Sequence, residues 1–335
     1  VKPPQTLLVM DDRALSMQFS PEEMTRLRAT ATLGDPVVAH ELTSPGVRRR
    51  LAEAEVLLTS WGCPRLDEDV LAAAPGLKAV LHAAGSVRGH VTDAVFDRDI
   101  LVTTAADANA EPVAHFTLAA ILWGFKKAPF LANDARRFRE DWSYVESRGE
   151  LTGVGRTVVV VGFSRIGGRL VRLLRDLDLA RVLVVDPVAD TADVVAAGGE
   201  PATLADALPQ ADVLTLHAPA LPETRHMIGA AELAALPPHA VLVNTARGSL
   251  VDTAALEAAC AAGLHAVLDV TEPEPLPADS PLYTLPNVML TPHIAGSLGS
   301  EARRMSALAL TELERYAAGL PALAPITRHG LEVQA

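Results

Sequence analysis

The run Val158-Val159-Val160-Val161 constrains the fold of this chain more than any other feature. Four consecutive β-branched residues show no alternation of polarity. A strand of that kind is covered on both faces, as in a parallel sheet with helices on each side. Similar short apolar runs occur at 7–10, 37–40, 56–59, 79–81 and 101–103, and again at 182–185, 213–216, 241–244, 266–268 and 288–290. Amphipathic stretches lie between them, for example 21–31 and 67–74. This alternation predicts α/β units with right-handed crossovers. At 335 residues the length suggests two domains, and no repeat of fixed period is visible.

Composition narrows the function classes. Charged residues make up 21% and hydrophobic residues 49%, too apolar for a disordered chain. The formal charge of −12 repels phosphate backbones and anionic lipid, which argues against nucleic acid and membrane surfaces as partners. A single well-placed arginine can still hold a small anion. Cys63 and Cys260 are the two cysteines and form no C-x-x-C pair, so a disulfide framework or zinc site is not expected. A reducing cytoplasm fits. The amino-terminal stretch has no apolar region of secretory length, and the longest apolar run, 116–125, is about half the ~18 residues of a membrane span. A soluble intracellular chain is therefore expected.

Residues 109–127 read as a long helix with Glu111-Pro112 in its first turn, where the missing N–H of proline costs nothing. An irregular, charged stretch, 136–150, follows. Near the end, Met305, Leu308, Ala309, Leu313 and Tyr316 fall on one helical face. Two long helices bracketing the middle of the chain suggest that the carboxyl-terminal segment returns to the first domain.

The strand 158–161 runs into Gly162-Phe163-Ser164-Arg165-Ile166-Gly167 and then a helical pattern, 169–177. This approximates G-x-G-x-x-G with Ser164 in the middle position. Gly162 allows the tight turn, Gly167 allows close helix–strand packing, and the helix amino terminus offers N–H groups to a pyrophosphate. Ser164 is the smallest hydroxyl substitute and is itself able to donate to phosphate. Asp186 ends the next strand roughly 20 residues on, where an acid hydrogen-bonds an adenosine ribose. It repels a 2′-phosphate, and no Lys or Arg follows from Pro187 to Glu200, so NAD is favoured over NADP. The plain alternative is a turn cap beside Pro187.

Three later segments also follow strand candidates, where doubly wound folds place ligand groups. In Asn244-Thr245-Ala246-Arg247-Gly248 the guanidinium offers a planar fork suited to a carboxylate. In Asp269-Val270-Thr271-Glu272-Pro273-Glu274-Pro275 the prolines stiffen an acidic loop. In Thr291-Pro292-His293-Ile294-Ala295-Gly296 a histidine sits in a Pro/Gly-bounded turn. An adjacent carboxylate would suit that histidine to proton transfer.

Together these five ordered motifs resemble the D-isomer-specific 2-hydroxyacid dehydrogenases, which include phosphoglycerate, glycerate/hydroxypyruvate and D-lactate dehydrogenases. The resemblance is clear from about Asn109 to Gly296. It implies a Rossmann-type NAD-binding domain, 109–296, inserted in a flavodoxin-like substrate domain formed by 1–108 and 297–335. It implies a catalytic set of Arg247 on the substrate carboxylate, His293 as acid/base and Glu274 orienting it. Cofactor contacts fall to Gly162, Ser164, Arg165, Ile166, Gly167, Asp186, Thr245 and Ala246, with Asp269 on the nicotinamide side. Gly85 and Ser86 match positions that bind substrate carboxylate, although the family's following Asp-Asn pair is Arg88-Gly89 here. The implied activity is NAD-dependent interconversion of a 2-hydroxyacid and a 2-oxoacid by a homodimer. An alternative on the same scaffold is an NAD(H)-sensing, corepressor-like protein with little turnover.

Overall fold

Each strand of the computed structural model, which describes residues 2–332, pairs with its neighbours in parallel. The described residues form two compact units. One runs up to Asn109 and resumes at Ser297, and the other spans Ala110–Gly296.

In the first unit, β1 (Gln5–Val9), β2 (Thr32–Ala39), β3 (Val56–Thr59), β4 (Ala79–His82) and β5 (Leu101–Thr104) form a sheet of order β2-β1-β3-β4-β5. This is the flavodoxin-like order. Leu7 and Val9 enter the apolar cluster on one face, Leu8 and Met10 that on the other. Burial on both sides is why the strand sequences do not alternate. The helix Pro21–Thr30 starts at a capping box, with Ser20 and Glu23 satisfying each other's backbone N–H groups. The helix Arg303–Ala317 returns to this unit through Leu310 and Leu313, and Arg26 grips Glu314 through two hydrogen bonds of 2.5 and 2.7 Å.

In the second unit, β6 (Thr157–Val161), β7 (Arg181–Val185), β8 (Glu200–Pro201), β9 (Val213–Leu216), β10 (Val241–Asn244), β11 (His265–Leu268) and β12 (Val288–Leu290) have the order β12-β11-β10-β9-β6-β7-β8. The order reverses at β6, the switch point where doubly wound sheets bind ligands. Val158 and Val160 face one cluster, Val159 and Val161 the other. Register aligns Val161 with Leu216, Leu216 with Asn244, Asn244 with Leu268, and Leu268 with Leu290. The loops that begin at Gly162, Thr245, Asp269 and Thr291 therefore leave one common edge of the sheet.

Four sequence expectations are corrected. β2 starts at Thr32, earlier than the apolar run 37–40, and carries Pro36 because it is an edge strand. β8 is an added two-residue strand with both residues exposed. The helix expected from Asn109 spans Ala106–Phe125, which places Pro112 in its interior instead of its first turn. The stretch 136–150 contains the end of the helix Ala128–Arg137 and a 3₁₀ turn, Ser143–Arg148. Arg148 ties the two together through hydrogen bonds of 2.7 and 2.8 Å to Asp134. Among the described residues no helix is long and apolar enough to cross a membrane.

Candidate active site

The turn after β6 admits glycine at both ends. Gly162 has φ +97°, and a Cβ there would lie 2.5 Å from the Ala218 nitrogen. A Cβ on Gly167 would lie 1.9 Å from the Gly162 carbonyl oxygen. Ser164, which replaces the middle glycine, caps the helix Arg165–Leu174: its hydroxyl accepts from the Gly167 N–H at 3.3 Å. The first-turn N–H groups of Arg165 and Ile166 point beyond the helix end, a ready anion site.

Asp186 performs the turn-cap role directly and leaves the ribose role to a remaining lone pair. One carboxylate oxygen accepts from the Phe163 N–H at 2.7 Å, joining β7 to the glycine turn. The other accepts from Val188 at 2.9 Å and Ala189 at 3.1 Å, capping the turn at Pro187. Of about four lone-pair positions, three are occupied and one remains for a ribose hydroxyl. The residues present fit a dinucleotide with an unphosphorylated ribose.

After β10, the Asn244 side chain folds over its own loop. Its oxygen accepts from the Ala246 N–H at 3.1 Å and its amide donates to the Arg247 carbonyl at 2.9 Å. Thr245 is buried with its hydroxyl 2.7 Å from that of Thr117, which donates to the Val113 carbonyl. Arg247 is half-buried, and one guanidinium nitrogen donates to the Ala246 carbonyl at 2.6 Å. Gly248 lies flat against the next loop: a Cβ there would sit 2.0 Å from the Thr271 carbonyl carbon and 2.5 Å from the Glu272 nitrogen. The arginine loop and the acidic loop thus touch backbone to backbone.

The acidic loop divides its work. Glu272 accepts from Arg225 at 2.6 Å and lies 3.1 Å from His226 Nε2, while its carbonyl accepts from the Thr253 hydroxyl at 2.5 Å. The Arg225 guanidinium holds the Glu272 carboxyl below its usual range. Glu272 is thereby committed to the scaffold. Glu274 instead pairs with His293: its carboxylate oxygen lies 2.7 Å from Nδ1. Accepting from Nδ1 leaves Nε2 as the nitrogen for proton transfer. Both side chains are about half exposed, at 51% for His293 and 43% for Glu274.

Asp269 builds the turn that carries this histidine. One of its oxygens accepts from the Thr291 hydroxyl at 2.5 Å and the Ile294 N–H at 2.8 Å, and the other accepts from the Ala295 N–H at 2.8 Å. Its carbonyl accepts from the His293 N–H at 2.9 Å. His293 is held at φ +54°, a conformation uncommon for a non-glycine residue. Asn244, Arg225 and His226 carry no signal of their own in the sequence beyond the Asx-turn chemistry of Asn244.

Gly85 and Ser86 belong to the other unit, in the loop after β4. Ser86 accepts from the Arg88 N–H at 3.4 Å, and Arg88 Nε donates to the Leu331 carbonyl at 2.9 Å, tying the loop to the last described helix. Beneath the loop His82 and His90 are buried beside the Thr59 hydroxyl, 2.9 Å from His82 Nδ1. Burial pushes both imidazoles down, His90 to about 4.

A model of the family described as "D-isomer specific 2-hydroxyacid dehydrogenase, NAD binding domain" matches residues 121–295. The D-3-phosphoglycerate dehydrogenase of Mycobacterium tuberculosis is 36% identical over 295 residues, covering 86% of this chain and 54% of that protein. The chain thus spans about half the length of that relative. The glyoxylate reductase of Aeropyrum pernix is 33% identical over 275 residues, covering 80% of this chain and 81% of that protein. Among solved structures, a phosphoglycerate oxidoreductase from Rhizobium etli superposes with a TM-score of 0.81 at 26% identity, covering 97% of this chain and 99% of that one.

Proposed function

The chain belongs to the D-isomer specific 2-hydroxyacid dehydrogenases, and from that premise we propose that it interconverts a D-2-hydroxyacid and a 2-oxoacid using NAD(H). The observation that carries the reading is the 2.7 Å pairing of His293 Nδ1 with Glu274, at the sheet edge that also bears Arg247 and the glycine turn. Gly162, Ser164, Arg165, Ile166, Gly167 and Asp186 would hold the adenosine and pyrophosphate portions, with Thr245, Ala246 and Asp269 nearer the nicotinamide. The bound cofactor supplies the hydride.

The rest of the chemistry belongs to this chain's own residues. Arg247 grips the α-carboxylate of the 2-oxoacid with its planar fork of donors. His293 delivers a proton from Nε2 to the carbonyl oxygen as that oxygen gains charge. Glu274 stabilises the imidazolium before transfer and fixes the ring so that Nε2 faces the substrate. In the reverse direction the same nitrogen takes the hydroxyl proton. By the family resemblance, Gly85 and Ser86 of the first unit are the proposed substrate-binding positions, with backbone and hydroxyl donors suited to a carboxylate.

The relatives point to phosphoglycerate and glyoxylate as substrate chemistries to test first. Asp186 supports NAD over NADP by repelling a 2′-phosphate. A homodimer is supported by large exposed aromatics in the second unit, Trp123 at 53% and Trp142 at 77%. The two free thiols, Cys63 and Cys260, are in keeping with work in a reducing cytoplasm. The test is a panel of glyoxylate, hydroxypyruvate, pyruvate, longer 2-oxoacids and phosphohydroxypyruvate at fixed NADH and NADPH. Oxidation of NADH with at least one of them, and much slower oxidation of NADPH, is expected. No turnover with any of them would remove the reductase reading.

A further inference from the structure

The edge of the second sheet opposite the candidate active site holds a polar pocket of about 160 Å³, lined by Lys127, Glu150, Arg156, Asp212 and His239. Its walls meet the starts of β6, β9 and β10, because Thr157, Val213 and Val241 begin those strands. The five residues of β6, at about 3.3 Å each, separate it from the glycine turn by about 16 Å.

The charges of the pocket are unequally satisfied. Asp212 is spent within the protein, one oxygen accepting from Arg156 at 2.9 Å and the other from the Thr157 N–H at 2.8 Å. Lys127 is 5% exposed and stands between two helices with its backbone at φ +51°. Its ammonium has three donors and gives one, to the His239 carbonyl at 2.6 Å. Among the described residues no carboxylate forms an ion pair with it. A buried cation with no carboxylate in direct contact is costly, and the cost is relieved by losing the proton or by recruiting an anion. Burial, opposed by Asp212 and reinforced by Arg156, holds Lys127 down at about 8.

The mouth of the pocket already contains a carboxylate in the place of such an anion. Glu150, 75% exposed, reaches in to pair with Arg156. The segment bearing it is fixed on either side: Gly149 packs against the His239 ring, and the Leu151 carbonyl accepts from Lys126 Nζ at 2.9 Å. The exposed Glu150 side chain has solvent outside the pocket to turn into without any shift of its backbone.

We propose that this pocket binds a small oxyanion of four or five heavy atoms, such as phosphate, sulfate or bicarbonate, between Lys127 and Arg156, with Glu150 as the intramolecular competitor. The volume is well above what a single water needs. The anion takes the two unspent N–H donors of Lys127 and the guanidinium edge that Glu150 vacates. The proposal is independent of the catalytic reading, since none of its residues serves the reaction.

The test is isothermal titration of the full chain with inorganic phosphate at constant ionic strength, with sulfate, bicarbonate and acetate as further arms. Saturable binding is expected, weakened at least tenfold by Lys127→Met and tightened several-fold by Glu150→Gln. Binding should also tighten as the pH falls from 9 to 7 and Lys127 gains its proton. Phosphate held at the glycine turn would be displaced by NADH and indifferent to residue 127. Should Lys127→Met fail to fold, Glu150→Gln still decides, because its side chain is exposed and a gain in affinity cannot come from misfolding. No saturable binding, binding unchanged by Lys127→Met, or binding weakened by Glu150→Gln would each overturn the proposal.

Discussion

Replacing Gly248 by alanine isolates the contact between the arginine loop and the acidic loop. The backbone of Gly248 is not in the left-handed region, so an L-residue meets no conformational penalty there. The added methyl, however, would begin 2.0 Å from the Thr271 carbonyl carbon and 2.1 Å from its oxygen. These are backbone atoms and cannot rotate away. Relief to the ordinary contact distance of 3.4 Å requires the two loops to part by roughly 1.4 Å. A shift of that size moves Arg247 relative to the loop that carries Glu274. Misplacement by about 1 Å costs on the order of 100-fold in rate, and overpacking costs about 1–3 kcal/mol of stability. Gly248→Ala is therefore expected to lower kcat/KM for the best 2-oxoacid by about 100-fold, and Tm by several degrees. The assay is steady-state NADH oxidation, with NADH affinity measured by fluorescence titration. A variant that keeps kcat/KM within twofold while folding normally would refute the reasoning that this contact sets the loops in register.

Asp269→Asn turns an amide donor toward N–H groups that need an acceptor, at Ile294 or Ala295. It should cost about 2 kcal/mol of stability and lower turnover on the order of 100-fold, read by denaturant melts and steady-state rates; wild-type turnover would separate the His293 turn from Asp269. Ser164→Ala removes the helix cap and should cost about 1 kcal/mol, seen as a lower urea midpoint, and an unchanged midpoint would deny the cap its role. His82, His90, His217 and His265 are buried and held below the ordinary imidazole range chiefly by burial, the last two at about 3. Because the unfolded chain binds protons at about pH 6.5 and these groups do not until lower pH, stability is full above about 6.5 and falls on acidification. Each contributes a slope of about 1.4 kcal/mol per pH unit, so up to ~5 kcal/mol per unit near pH 5. Urea midpoints at pH 7, 6 and 5 test this, and equal midpoints would contradict it.

The strands were legible because a parallel sheet buried on both faces leaves an unmistakable residue run: Val158 to Val161, Val213 to Leu216 and Val241 to Asn244 stand where the apolar runs placed them. β8 was not legible because Glu200 and Pro201 are exposed and bury nothing. The start of the helix Ala106–Phe125 was misplaced by Pro112, since a proline suits a first turn but an interior one is also tolerated. The glycine turn could be read because steric demand at Gly162 and Gly167 is local. The pairing of Glu272 with Arg225 and His226, and the support of the His293 turn by Asp269, could not. Each depends on loops from neighbouring strands meeting in space, and strand register is invisible until the sheet order is known. The same is true of Lys127, whose burial without a carboxylate in direct contact is a property of the fold and not of its sequence neighbours.

His293, oriented by Glu274, is expected to transfer the proton to and from the substrate oxygen. Single-turnover oxidation of bound NADH, followed at 340 nm after mixing with the preferred 2-oxoacid, tests it directly in His293→Gln. The expected rate is on the order of 10²–10⁴-fold below the native protein, with NADH affinity unchanged. A variant that turns over at the native rate would contradict it.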